Sequence, residues 1–127
     1  MRQRSKWLVE LIANKNVRSE YIEYILAQLN LRLIEELELR QLSLREAESM
    51  LFNIDVYSAI EKRKLSRECR EILEWGMELE DVKDLELDFR PSFDTMRKMS
   101  KKILLRISPK ERMKGLARRT KKTFVAA

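Results

Sequence analysis

Two glycines and two prolines in 127 residues leave this chain almost nowhere to place a tight β-turn. Leu, Glu, Arg and Lys fill the space instead, and all four are strong helix formers. With 44% of its residues apolar, the chain has enough greasy surface for one packed core. The expectation is an all-α fold, a compact bundle of about five to six helices with a basic C-terminal helix pair.

Start signals divide the chain accordingly. Ser5 is a good N-cap for a first helix whose Trp7, Leu8, Leu11 and Ile12 fall on one stripe. The polar Asn14-Lys15-Asn16 ends it. A longer helix is expected from Val17–Ser19 to about Arg40, with Ile22, Ile25, Leu26, Leu29 and Leu33 inward. Ser43-Leu44-Arg45-Glu46 has the spacing of a capping box and opens a short helix. Asp55 is the expected cap of the next, Lys62-Arg63-Lys64 the turn after it, and Ser66 the cap of a helix carrying Cys69, Ile72, Leu73 and Gly76. Arg90-Pro91-Ser92 is the clearest break, and Ser92 is expected to start the helix through Phe93, Met96, Met99 and Ile103. Ser108-Pro109-Lys110-Glu111 has a serine cap, a first-turn proline and a third-position glutamate, so a last helix is expected to about Lys122.

Charge is segregated along this frame. Twelve basic residues crowd positions 97–122: Arg97, Lys98, Lys101, Lys102, Arg106, Lys110, Arg112, Lys114, Arg118, Arg119, Lys121 and Lys122. The one acid among them is Glu111, which leaves the segment at +11. The remainder holds fifteen basic and twenty acidic residues, a net of −5. Glu78, Glu80, Asp81, Asp84, Glu86 and Asp88 supply the densest acidic run, against Lys83 alone. The expected organisation is an acidic helical body over 1–90, with basic helices over 91–127 packed on the same domain.

The chemistry available is narrow. Without a histidine there is no Ser–His or Cys–His nucleophile system, and the commonest neutral metal ligand is missing. One cysteine admits no intrachain disulfide and no structural zinc site. Arg67 and Arg70 beside Cys69 would lower its thiol pKa, whereas a half-buried place on a helix would make it inert. Gly76 and Gly115 stand too far apart for a phosphate loop. The acidic run lacks the glycine and terminal glutamate of a calcium loop. A non-enzyme without cofactor, metal or small-molecule substrate is therefore expected. No apolar run approaches the roughly 18 residues of a membrane span, and a lone free thiol fits a reducing cytoplasm.

Leu42-Ser43-Leu44-Arg45-Glu46-Ala47-Glu48-Ser49-Met50-Leu51-Phe52, followed by Glu74-Trp75-Gly76-Met77-Glu78-Leu79-Glu80-Asp81-Val82, resembles a family of short uncharacterised bacterial helical proteins, a domain of unknown function. The resemblance covers about residues 20–90, and the basic tail after Pro91 departs from it. Chains of this size and style resemble antitoxin or immunity partners of toxins, which implies a protein-binding role.

Charge admits several partners. The basic segment has the density that phosphate backbones reward, but no Asn or Gln to read bases and only Phe124, just past its end, to stack on one. It equally suits an acidic protein, the acidic run of this chain or of a second copy, or an anionic membrane surface. The leading expectation is a protein-binding module that includes its own dimer among its options; the alternative is nonspecific nucleic-acid binding through residues 97–122.

Overall fold

The structure is a computed structural model that describes residues 4–107, so the expected last helix lies outside the described residues. Within them run α1 (Lys6–Ala13), α2 (Ser19–Glu38), α3 (Leu44–Met50), α4 (Ile54–Arg63), α5 (Arg67–Met77), α6 (Leu79–Asp84) and α7 (Arg90–Arg106). There is no strand among the described residues. Two of the helices, α3 and α6, are short, and five carry the bundle. The expected all-helical compact bundle is what forms.

Packing follows the apolar stripes. α7 lies in the angle between α2 and α5, burying Phe93, Met96, Met99 and Ile103 against them. Contacts between Glu38 and Arg97 at one end and Glu23 and Arg106 at the other make α2 and α7 antiparallel. α1 packs on α4, and α4 on α5. Leu26, Leu33, Ile34, Ile72 and Leu73 are sealed from solvent in the centre. Each such side chain contributes about 1.5–3 kcal/mol relative to exposure.

The helix ends test the expected signals one by one. The capping box forms: Glu46 N–H donates to Ser43 Oγ at 3.1 Å, and Ser43 N–H donates to Glu46 Oε1 at 3.1 Å. Ser66 accepts from Cys69 N–H at 3.4 Å. Ser5 stands before α1, but its hydroxyl accepts from Asn53 Nδ2 at 3.2 Å instead of capping its own helix.

Three expectations are corrected. Asn53, not Asp55, caps α4, accepting from Val56 N–H at 3.1 Å while its amide ties α4 to Ser5 and the end of α3. An aspartate carboxylate at this buried position could accept but not donate, whereas the Asn amide does both. Lys62 and Arg63 are the last residues of α4 and not a turn; Lys64, left-handed at φ 58°, ends the helix. α7 begins at Arg90 and takes Pro91 into its first turn, where a missing N–H costs nothing, so Ser92 is a buried helical residue. Asp88 Oδ1 accepts the Arg90 N–H at 3.0 Å in its place.

Candidate functional site

α7 sorts its basic residues by type. Its inner stripe seats Met96, Met99 and Ile103, so the flanks bring arginines over neighbouring helices. Arg97 pairs with Glu38 of α2 and, at 3.0 Å, with Asp94. Arg106 pairs with Glu68 of α5 and with Glu23 of α2 at 3.3 Å. Glu23 also accepts the Ser66 N–H at 3.0 Å, which binds the starts of α2 and α5 to the end of α7. Both arginines are thus held by the body of the fold.

The lysines are not. Lys98, Lys101 and Lys102 are exposed on the outer face and form no ion pair among the described residues. Beside them Leu105 stands 86% exposed. Positions 98, 101, 102 and 105 follow helical spacing, so three cations and one leucine share a single stripe. Lys110, Arg112, Lys114, Arg118, Arg119, Lys121 and Lys122 lie outside the described residues.

The acidic run sits elsewhere. Glu78, Glu80, Asp81, Asp84, Glu86 and Asp88 are all exposed, along α6 and the turn after it. Asp88 is fixed locally: backbone and side-chain bonds from Arg90 hold its carboxyl below the ordinary range. Within the described residues the ion pairs of α7 with other helices go to α2 and α5, not to this run. Leu85 and Leu87 interleave with the acids and are 68% and 57% exposed. The half-buried Glu48 of α3 has its carboxyl pushed up, first by burial and then by Glu80.

A groove of about 540 Å³ between α1 and α4 escaped the reading of the sequence. Val9, Ile12, Ala13 and Ala59 give it an apolar lining, and Lys6, Lys15, Lys62 and Arg63 place four cations against the single acid Asp55. Arg63 shapes one end by donating to the carbonyls of Ile12 (3.0 Å), Asn14 (2.7 Å) and Val17 and to Ser19 Oγ (3.3 Å). Lys6 and Lys62 are 56 positions apart, so no local motif announces the groove.

The thiol is not a reactive centre in this setting. Cys69 is fully buried, and burial, followed by the charge of Glu23, pushes it up to about 12, overriding the Ser66 hydrogen bond and the charge of Arg106. Among the described residues no three His, Cys, Asp or Glu side chains gather to hold a metal ion, and no helix is long and apolar enough to cross a membrane.

The family described as a protein of unknown function (DUF3969) matches residues 17–116. That span runs past Pro91, so the match takes in α7 and much of the basic segment that the resemblance excluded. No curated protein and no solved structure matches the chain.

Proposed function

The chain belongs to the DUF3969 family, and we propose that it is a non-enzymatic binding module which docks an acidic protein on the outer face of α7. The observation that carries this reading is the contrast within one helix. Its two flanking arginines are neutralised by the body, whereas Lys98, Lys101 and Lys102 stand without acid partners around the 86% exposed Leu105.

The chemistry of that stripe favours protein over nucleic acid. A leucine among lysines provides apolar area to bury at the centre of a contact, with charge around it to steer and orient the partner. Phosphate backbones need cations alone. Such a face is of the kind that an adaptor, antitoxin or immunity protein uses. The absence of histidine and the inert thiol support a role without turnover.

Affinity capture with the full chain as bait tests the reading, alongside Leu105→Asp and the triple variant Lys98→Glu, Lys101→Glu, Lys102→Glu. A protein retained by the wild type and lost from both variants is expected. Gel shifts on a random-sequence duplex at about 50 mM salt provide the rival outcome. A shift abolished by the triple reversal but indifferent to Leu105→Asp would replace the protein-docking reading with nucleic-acid binding.

A further inference from the structure

Two unpartnered surfaces of this chain are complementary to one another, and neither belongs to the α7 face. The first is the groove between α1 and α4, apolar at Val9 and Ala59 and cationic at Lys6, Lys15 and Lys62. These lysines form no ion pair among the described residues. The second is the turn after α6. Asp84, Leu85, Glu86, Leu87 and Asp88 are five exposed residues in succession, with acids and leucines alternating. Leu87 N–H closes the turn on Val82 O at 2.9 Å, and Glu86 takes a left-handed φ of 55°. The turn is therefore a hydrogen-bonded knob and not a loose strand.

We propose that the knob of one copy seats in the α1–α4 groove of another. Leu85 and Leu87 would meet the apolar lining while Asp84 and Glu86 answer the lysines of the rim. The groove, at about 540 Å³, falls in the size range of ligand-binding clefts. The occupant is a second copy because both halves of the match are written into every chain and both are exposed in the single molecule. Knob and groove are different patches, so two copies either exchange knobs reciprocally about a two-fold axis, an isologous pair, or repeat the contact head to tail, a heterologous one.

Sedimentation of the full chain over a concentration series tests the idea. The weight-average mass is expected to rise from 15.3 kDa toward at least twice that value, and less steeply in molar salt, which screens exposed charges. The knob variant Asp84→Lys, Glu86→Lys and the groove variant Lys15→Glu, Lys62→Glu should each associate about tenfold or more weakly, because like charges then face each other. All four sites are exposed, and unchanged circular dichroism verifies that both variants fold. Mixing the two variants should restore association, since each supplies the charge that the other now requires. A wild type that stays monomeric into the millimolar range overturns the proposal. So does wild-type-like association of both variants, or a mixture that fails to recover. The lysines of α7 are untouched throughout, so none of these results depends on the docking role of that helix.

Discussion

Gly76 lies in the last turn of α5, where helix propensity alone would recommend alanine. A Cβ built there would stand 2.2 Å from Phe52 Cδ1 and 2.5 Å from Cγ, and Phe52 is itself buried at 2% exposure. The ring has no open space to retreat into, so overpacking of about 1–3 kcal/mol opposes the roughly 1 kcal/mol that alanine returns through helix propensity. Gly76→Ala is expected to lower the urea midpoint; an unchanged or higher midpoint would show that the ring yields. Cys69 makes a second prediction at this scale. Its thiol is pushed up to about 12 in the fold against 9.0 for an ordinary cysteine, so the unfolded chain ionises first. The stabilisation is complete below pH 9 and drains away between there and about 12. Replacing Cys69 with alanine should flatten that alkaline limb, and native protein near pH 8 should resist thiol alkylation until urea is added. The sequence offered both outcomes for this thiol, arginine activation or burial. Only the position of Ile72, Leu73 and Cys69 inside the core decides between them.

α7 is placed on α2 by apolar packing, but its register is marked by polar atoms. Asn30 Nδ2 donates to Ser100 Oγ at 2.8 Å and to Met96 O at 3.1 Å, while Ser100 Oγ donates to Ala27 O at 3.0 Å. Asn30 and Ser100 are both sealed from solvent, and Asn30 Oδ1 finds no partner among the described residues. A one-turn slide of α7 would strand these groups in a dry interface. Asn30→Ala alone should cost about 1–3 kcal/mol, because the partners it abandons stay buried. Asn30→Leu combined with Ser100→Ala removes both sides together and should recover much of that loss, measured by urea unfolding of the single and double variants. Recovery with altered α7 contacts would identify the pair as a register device; no recovery would identify it as net stabilising. This cluster also marks where the sequence stops being readable. The capping box at Ser43 and the Ser66 cap were legible because cap chemistry spans four residues. Asn53 and Asp88 were missed because their roles depend on Ser5, the end of α3 and the swallowed Pro91. Serine, asparagine and aspartate cap equally well in isolation, and tertiary contacts choose among them.

At the scale of the molecule, segregated charge was plain in the sequence, but its direction was not. A count cannot separate Arg97 and Arg106, turned onto Glu38, Glu23 and Glu68, from Lys98, Lys101 and Lys102, turned outward. The division follows side-chain chemistry: a planar guanidinium holds carboxylates in fixed geometry, while a flexible ammonium stays hydrated. The groove was illegible for a different reason, since its cations come from two helices joined only by the fold. These two cationic surfaces have separate frameworks, α7 on α2 and α5 for one, α1 on α4 for the other. That separation yields a prediction about independence. Reversing Lys98, Lys101 and Lys102 together should shift stability by no more than about 0.5 kcal/mol, as expected for exposed sites outside any ion pair. It should abolish partner capture and leave the concentration dependence of sedimentation as in wild type. Reversing Lys15 and Lys62 should do the opposite, and the two losses should combine without interaction when all five are changed. If either set moved both readouts, the surfaces would be energetically linked through the core. The buried contacts of α5, which touches both α4 and α7, would then be the route to examine.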